Sequence, residues 1–491
     1  MQNNIDIRLA GFNVDADLLR SLEPESSQNL TPETISAAYA RISRSAASID
    51  ELRLQARQEV TRARQSNSRI IFDMGHHSIA EHAVFNFDIM GISRLAMEEI
   101  ETMRLVSFTE KSQRYVTLLK DTLIPGELLV SPLKAEFENI TSRQNRFYSD
   151  ALEIIDSYLA NQATKSGLDK ASSRQLRNLA KEDARYALPL ATRGQLGMTI
   201  NARNLEYLLR RTALSRLEEV RNVGQRLFRL VQPVAPSLIL FSEPSAFDRK
   251  LARGHCLPPE LKPAGGHPSP APYSLIEAPQ NGDDIVLTAL LARVHGSSWE
   301  AAASQIQQMR DTEKRALFLD MFSRMEFFDS TPREFEMPFF TFDLVVSASC
   351  YAQLKRHRMA TLLASPYQPE LGLTIPEVFT HTGLETRFRD LIMQTEQAYK
   401  AIAASQPAAA GYLLTNAHRR RVCVKMNLRE IFHFTRLRAD SHAQWDIRCL
   451  ALWISDKVRS FMPLSTMLLC GKSDFTAAYE NVFHQKPQHQ I

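Results

Sequence analysis

Apolar residues recur every three to four positions along much of the chain, which is the spacing of an amphipathic helix. Carried by good helix formers, this pattern predicts helices over residues 49–66, 133–161, 172–187, 300–323 and 384–404. Two shorter phenylalanine-rich runs, 83–90 and 338–345, predict β-strands. Together these elements predict a helix-rich α/β (α+β) fold.

A segment rich in Pro, Gly and Ser interrupts the helical periodicity between residues 254 and 284. It predicts a linker between a first domain, residues 1–253, and a second domain, residues 285–491. Both parts have the size of an ordinary single domain.

The two parts resemble one another, which indicates a tandem repeat. The first contains MTINARNLEYLLRR, residues 198–211, and the second contains VKMNLREIFHFTRLR, residues 424–438. Both predicted strands carry the pattern F-x-F-D, and each leads into a helical run expected to close on an arginine, Arg104 or Arg358. Two matches in the same order favour duplication over chance.

Composition narrows the class of protein. The chain has 491 residues, of which 44% are apolar and 23% charged, as in globular proteins with a sizeable core. A net charge of +4 does not indicate a nucleic-acid coat or a membrane-surface protein. No apolar run reaches 18 residues, and the five cysteines are scattered. We therefore expect a cytoplasmic protein with reduced thiols and no bound metal.

Three short motifs carry candidate chemistry. Residues 107–115, S-F-T-E-K-S-Q-R-Y, bring hydroxyls and an arginine together as a phosphate requires, although an isolated S-x-R-Y is more often a polar turn. Residues 356–358, R-H-R, are usually a solvated helix cap. Residues 75–82, G-H-H-S-I-A-E-H, lack the H-E-x-x-H spacing of a metal site, which favours cofactor ligands or structural histidines.

A fourth motif spans residues 427–448, which read as one helix. Its polar residues are too numerous for a core helix and would form a face that binds flat heterocycles and anions: Asn427, Arg429, His433, Arg436, Arg438, His442 and Gln444. The four motifs together predict a site for a nucleotide and a cofactor.

These motifs resemble the flavin-dependent thymidylate synthases. That family carries R-H-R-x-x-S-x-x-x-x-S-x-R-Y, an upstream G-H-x-x-x-x-E-H and a downstream N-A-R followed by L-R-x-D-S-H-A-Q-W-E. The run R-A-D-S-H-A-Q-W-D, residues 438–446, is the most specific match. The resemblance implies two tandem copies of the family fold.

The motifs are divided unevenly between the copies. The first keeps the S-x-R-Y segment and Arg185, which precedes L-P-L, whereas Thr102-Met103-Arg104 stands where R-H-R is expected. The second keeps R-H-R and Arg438, but has Gly411 at the position of Arg185. Since the family builds each substrate site across a subunit interface, the resemblance implies one site shared between the two copies.

By the same resemblance, individual residues receive roles. Arg438 polarises the uracil ring as the catalytic residue. The substrate set is Gln353, Arg356, Ser112, Gln113, Arg114 and Arg185. The cofactor set is His76, Ser78, Glu110, His357, Arg358, Asn427, Arg429 and His433.

The implied reaction is reductive methylation of dUMP to dTMP, with methylenetetrahydrofolate as carbon donor, FAD as cofactor and NADPH as reductant. A homodimer would imitate the tetramer of the family. Two alternatives stay open from the residues alone. One is a non-catalytic flavin- or nucleotide-binding paralogue. The other is methylation of RNA, for which the basic run 418–421 is the single indication.

Overall fold

The computed structural model describes residues 5–17, 30–42, 45–117, 121–165, 173–252 and 271–489. The chain divides into two compact units. The first unit comprises residues 1–265 and 376–416, and the second comprises residues 266–375 and 417–491. The part of the predicted linker from residue 254 to residue 270 lies outside the described residues.

Helices dominate both units. Those of the first repeat are α1 Glu33–Arg41, α2 Ile49–Gln58, α3 Val60–Ser68, α4 Arg94–Ile100, α5 Lys134–Lys165, α6 Ser173–Ala184, α7 Ala202–Ala213, α8 Glu218–Val231 and α9 Ala246–Ala252. Those of the second are α10 Gly282–His295, α11 Trp299–Gln308, α12 Asp311–Phe322, α13 Ala348–Leu354, α14 Glu377–His381, α15 Glu385–Ser405, α16 Pro407–Ala410, α17 Leu428–Arg438, α18 Trp445–Phe461 and α19 Phe475–Phe483. Within the described ranges, none of these helices combines the length and apolar character needed to cross a membrane.

Among the described residues, each unit contains one four-stranded antiparallel sheet. The strands are β1 Asp6–Phe12, β2 Val84–Ser93, β3 Ser107–Glu110 and β4 Arg193–Asn201, then β5 Tyr273–Glu277, β6 Phe339–Ser347, β7 Thr361–Ala364 and β8 Arg419–Asn427. The order is β1-β2-β4-β3 in the first sheet and β5-β6-β8-β7 in the second. Equal strand orders confirm the tandem α+β prediction.

Alternation of side chains explains the two central strands. Phe85 and Phe87 of β2 are fully buried in the first core, and Phe340 and Phe342 of β6 are fully buried in the second. Residues two apart on a strand share a face, so the F-x-F-D pattern supplies the core layer of each sheet.

A β-bulge explains why the spacing between the copies changes along these strands. Phe85 corresponds to Phe340, 255 positions later, whereas Ser93 corresponds to Ser347, 254 positions later. The register of β2 against β4 shifts between Met90 and Ile92, while β6 pairs with β8 without a shift. The extra residue, Gly91, has a φ of 76°, a conformation that glycine adopts at little cost.

Several predicted boundaries need correction. The span 300–323 is two helices, because the backbone is extended at Met309 and Arg310, and the span 49–66 is divided at Glu59. The helices expected to close on Arg104 and Arg358 end at Ile100 and Leu354. Strand β5 lies inside the predicted linker and pairs with β6, so the last part of that segment belongs to the second sheet.

The first unit also contains a segment of the second repeat, residues 376–416. Gln144 of α5 donates to the Thr395 hydroxyl of α15 at 3.0 Å and to the carbonyl of Leu413 at 2.8 Å. Pro189 and Thr415 form an antiparallel bridge between the L-P-L segment and its counterpart in the second repeat. Corresponding segments of the two copies therefore pack against one another inside this unit.

Candidate functional site

A buried hydrogen-bonded chain in the second unit holds Arg438. His357 is 2% exposed, and its Nδ1 lies 3.1 Å from Glu430 Oε1. Its Nε2 accepts a hydrogen bond from Arg438 Nε at 3.1 Å. Because the guanidinium can only donate, Nε2 must be the acceptor nitrogen and Nδ1 the donor to the carboxylate. His357 is therefore neutral when it orients Arg438.

Burial lowers the pKa of His357 below its ordinary value of 6.5, and the hydrogen bond that its ring donates to Glu430 opposes this shift only in part. The nearby positive charge of Arg438 lowers the pKa further. Both effects favour the neutral ring at pH 7. The two ring nitrogens are thus occupied inside the protein, and His357 acts on a ligand through Arg438.

Gln353 lies beside this chain at the end of α13. Its backbone carbonyl lies 3.4 Å from Arg438 Nη2, and its side-chain nitrogen donates to Gln444 Oε1 at 3.2 Å. Its side-chain oxygen is buried and has no hydrogen-bond partner among the described residues. An unpaired buried acceptor is costly, so this oxygen is a candidate to receive an N–H group of a ligand.

The prediction of one helix over residues 427–448 is wrong. Helix α17 ends at Arg438, and α18 begins at Trp445. In the turn between them, Asp440 accepts backbone hydrogen bonds from His442 and Ser473; burial raises its pKa, but these bonds outweigh burial and lower it to about 2. The break brings both Arg438 and Gln444 to Gln353, which one continuous helix would not do.

The other residues predicted for the second repeat surround this chain. Arg356 and Arg358 are exposed on either side of buried His357. The exposed ring of His433 packs edge-on against His357, with 5.5 Å between the ring centroids. Asn427 caps α17 by accepting the backbone N–H of Glu430.

One ion pair recurs at the start of the equivalent helix in each repeat. Arg429 pairs with Glu336 at 2.7 Å, and Arg203 pairs with Glu81 at 2.5 Å. Glu81 is the glutamate of G-H-x-x-x-x-E-H, and Glu336 is its counterpart. The pairing gives both acidic residues a role in joining the segment before the central strand to the helix after β4 or β8.

Among the remaining first-repeat cofactor candidates, His76 and Ser78 are exposed. Glu110, at the end of β3, pairs at 3.1 Å with Arg94, a buried residue that also pairs with Glu98. The carboxylate of Glu110 is therefore held by the first helix after β2.

The predicted phosphate residues come together in the first unit. The Ser112 hydroxyl accepts the backbone N–H of Arg114 at 3.1 Å, which forms the S-x-R turn. Arg114 Nε donates to the buried carboxylate of Glu182 at 2.5 Å. One helical turn later, Arg185 Nε donates to the backbone carbonyl of Glu182 at 3.2 Å. Glu182 thus connects both arginines, and the motifs gave no indication of it.

Arg185 is 5% exposed, and burial lowers the pKa of its guanidinium. Its buried Nη2 has no hydrogen-bond partner within the described residues. Desolvation of a guanidinium is unfavourable unless an anion or acceptors compensate it. Arg185, which lies beside Arg114, therefore has a buried donor that an anion could complete.

The corresponding positions in the opposite copies carry different side chains. Glu99 stands where the second repeat has Gln353; burial raises its pKa, and a hydrogen bond with Ser215 opposes that shift. Tyr367 stands where the first repeat has Gln113, and its ring packs on Arg420 with 4.4 Å from the guanidinium carbon to the ring centroid. These positions are occupied by the protein's own contacts.

Strand β8 begins at Arg419 and so contains all but the first residue of the basic run 418–421. His418 is fully buried, Arg419 donates to the Thr374 hydroxyl at 2.9 Å, and Arg421 pairs with Asp343. Arg420 also packs against Tyr351 at 4.5 Å. A run whose members are engaged inside one unit does not resemble an RNA-binding surface, which needs cations exposed to phosphates.

Each central strand is also supported by a serine–carboxylate pair that was not singled out from the sequence. Ser93 donates to Glu219 at 2.6 Å, and Ser347 donates to Asp446 at 2.5 Å, and all four residues are buried. Each serine also caps the following helix, α4 or α13. Comparison of the two copies could have identified these pairs, because Asp446 is the acidic residue that follows Trp445 in the most specific motif.

Comparison with known proteins supports the reading as a repeat. The family model described as "Thymidylate synthase complementing protein" matches residues 27–237 and again residues 274–464. A UPF0159 protein of Chlamydia muridarum is 26% identical over 416 residues, which cover 80% of this chain and 78% of the relative. A UPF0159 protein of Thermoplasma acidophilum is 22% identical over 448 residues, covering 80% and 86%.

A shorter relative matches over less than half of the chain. A flavin-dependent thymidylate synthase of Geobacter sulfurreducens is 30% identical over 213 residues, which are 42% of this chain and 80% of that protein. The relatives named as thymidylate synthases therefore match over about the length of one repeat, whereas the UPF0159 proteins extend across both.

Proposed function

The chain belongs to the thymidylate synthase complementing protein family, and on that premise we propose that it is a flavin-dependent thymidylate synthase. It methylates dUMP to dTMP with methylenetetrahydrofolate as carbon donor and NADPH as reductant. The substrate site is shared: the second repeat contributes the groups that contact the pyrimidine, and the first repeat contributes those that bind the phosphate.

The observation that carries this proposal is the chain of contacts from Glu430 through His357 to Arg438. The neutral, buried imidazole of His357 accepts a hydrogen bond from Arg438 Nε and so orients the guanidinium. Because the imidazole carries no charge, the positive charge of Arg438 is not neutralised by it and is available to a ligand. Charge that is oriented before the reaction stabilises developing negative charge without reorganisation. Arg438 thus favours the enolate-like form of the uracil ring, in which C5 is nucleophilic. The unpaired Gln353 oxygen suits the ring N–H.

The phosphate half rests on Arg185 and Arg114. Both guanidinium groups are linked through Glu182, and the unpaired Nη2 of Arg185 is the kind of donor that a phosphate oxygen completes. The first repeat has Thr102-Met103-Arg104 where the second has R-H-R, and the second has Gly411 where the first has Arg185. Neither repeat alone has both sets, which supports a shared site.

Four of the residues predicted for the cofactor have exposed side chains whose chemistry suits FAD. His76, Ser78, Arg358 and His433 are exposed donors, suited to pyrophosphate oxygens and to the polar edge of a flavin. Bound FAD supplies the hydride chemistry of the reaction. The protein's own residues bind and orient it, with Arg429 held by Glu336 and Asn427 fixed as a helix cap.

Two further features complete the proposal. Glu99 stands at the position that corresponds to Gln353, and Tyr367, packed on Arg420, stands at the position that corresponds to Gln113. A second substrate site would need these positions, so each chain has one substrate site. Two chains form a homodimer that reproduces the four-repeat assembly of a tetramer.

The test is spectroscopic. Purified protein loaded with FAD is reduced anaerobically with NADPH, and reoxidation of the flavin is followed on addition of dUMP, methylenetetrahydrofolate or both. We expect reoxidation with formation of dTMP only when both are present. Bound flavin that stays reduced under all conditions would contradict the proposal and identify a non-catalytic flavin-binding paralogue.

A further inference from the structure

The inference concerns Asn416, a residue of the second repeat that lies in the first unit. Its backbone is fixed by pairing with the L-P-L segment of the first repeat. The N–H of Leu190 donates to the carbonyl of Leu414 at 2.7 Å, and the N–H of Asn416 donates to the carbonyl of Leu188 at 3.0 Å. The position of Asn416 is therefore set by main-chain contacts and does not depend on its side chain.

The side chain of Asn416 is 1% exposed and connects two segments of the phosphate site. Its Nδ2 donates to Gln113 Oε1 at 3.0 Å and to the backbone carbonyl of Arg185 at 2.9 Å. The corresponding residue of the first repeat is Leu190, whose side chain has no hydrogen-bond donor. One amide group thus ties the S-x-R turn to the turn that carries the buried arginine.

The chemistry of these partners fixes the orientation of both amides. A backbone carbonyl can only accept, so the atom of Asn416 that meets Arg185 must be its nitrogen. That nitrogen in turn selects the oxygen of Gln113. The NH₂ end of Gln113 is then the end that can meet a ligand, and a donor is what an anionic ligand requires.

We propose that Asn416 is a positioning residue for the phosphate group of the nucleotide, supplied by the second repeat to the phosphate half of the site. The assignment rests on the proposed function, because it takes the ligand to be a nucleoside monophosphate. Asn416 holds the Gln113 amide with its donor end toward the ligand and holds the turn from which the Arg185 side chain extends. The phosphate half of the site is therefore also a product of both repeats.

The test measures binding of dUMP and of deoxyuridine, which lacks the phosphate, to the full-length FAD-loaded protein. Asn416→Ala removes both hydrogen bonds, and we expect the Kd for dUMP to rise about tenfold. Deoxyuridine binding should stay within about twofold, since only the phosphate contacts change. Adding Gln113→Ala to this variant should weaken dUMP binding little further, because Gln113 has already lost its orientation.

The matched control is Asn145→Ala, which truncates another buried amide of the same unit. Asn145 donates to the Thr122 hydroxyl at 2.9 Å and to the carbonyl of Thr141 at 2.8 Å. This variant should lower the melting temperature but leave the dUMP Kd unchanged. Unchanged dUMP binding in Asn416→Ala, or an equal loss for dUMP and deoxyuridine, would overturn the inference.

Failure of the proposed reaction is a separate outcome. If the wild-type protein binds dUMP but forms no dTMP, the proposed function fails, while the Kd comparison still decides the role of Asn416. Absence of dUMP binding in the wild-type protein would overturn the inference itself.

Discussion

The two repeats share a scaffold but differ at the positions for which we propose roles in the site. Both have the same strand order. Both also have a serine–carboxylate pair at the start of the helix that follows the central strand, and an arginine–glutamate pair beside the sheet. The second repeat keeps His357 and Arg438 where the first has Met103 and Thr212, and the first keeps Arg185 where the second has Gly411. Contacts that stabilise the fold are needed twice, whereas residues of a shared site are needed once. Matched substitutions in the two copies can test that distinction.

Arg438→Ala should have the largest effect. Removing one preorganised donor at a developing negative charge typically costs about 100- to 1,000-fold in kcat, and we expect a loss of that size in dTMP formation. Thr212→Ala, at the corresponding place in the first repeat, should leave kcat within about twofold. Equal losses in the two variants would contradict the division of roles between the copies.

The next largest effect is expected for Arg185→Ala, which should weaken substrate binding. Hydrogen bonds to charged groups contribute about 1.5–3 kcal/mol, so the Kd for dUMP should rise about 10- to 100-fold in a binding titration. Its partner variant is Gly411→Ala, whose added Cβ would meet Leu95 at an ordinary contact distance of 3.5 Å. That substitution should leave the Kd unchanged, and a comparable loss there would mean that both copies bind the phosphate.

His357→Met gives the second repeat the residue that the first repeat has at this position, Met103. Without its acceptor, Arg438 is less well oriented, and we expect about a tenfold loss in kcat. Since burial holds the pKa of His357 below 6.5, the unfolded chain takes up a proton first as the pH falls. The contribution of His357 to stability is complete above pH 6.5 and is lost as the pH falls from that value toward the folded-state pKa.

Urea unfolding at pH 7.5, 6.5 and 5.5 measures this pH dependence. The wild-type protein should lose stability over that range, and His357→Met should lose less. Identical pH profiles for the two proteins would show that His357 is not the neutral acceptor in the folded chain.

The smallest difference is expected for the serines that the copies share. Ser93→Ala and Ser347→Ala each remove a hydrogen bond to a buried carboxylate, which should cost about 1–3 kcal/mol of unfolding free energy in either copy. Neither variant should change the kcat of the remaining folded protein by more than about twofold. A loss of activity in only one of them would indicate that this pair belongs to the site.

Local patterns were sufficient for much of the fold. Phenylalanine-rich runs with the pattern F-x-F-D predicted β2 and β6, and helical periodicity predicted α5 and α15 within a few residues. The break after Arg438 was missed because Asp440 stabilises the turn through the backbone of Ser473, far along the chain. The place of residues 376–416 in the first unit was missed for a similar reason, since it depends on packing between copies.

Residues of the candidate site could be proposed from the sequence where a motif carries them. Arg438, Arg114 and Arg185 lie in recognisable runs, and the structure gives each a defined set of contacts. Glu430, Glu182 and Asn416 are ordinary polar residues whose partners are remote in sequence. Their roles arise from burial and from hydrogen bonds to residues of the motifs or to Arg185, and neither is visible in the spacing of a single chain.

The most direct test of a divided site is the stoichiometry of dUMP binding to the FAD-loaded protein, measured by isothermal titration calorimetry. The account predicts one dUMP bound per chain, with binding weakened by Arg185→Ala in the first repeat and by Arg438→Ala in the second. Two equivalent nucleotides per chain, each sensitive to substitutions in only one repeat, would contradict it.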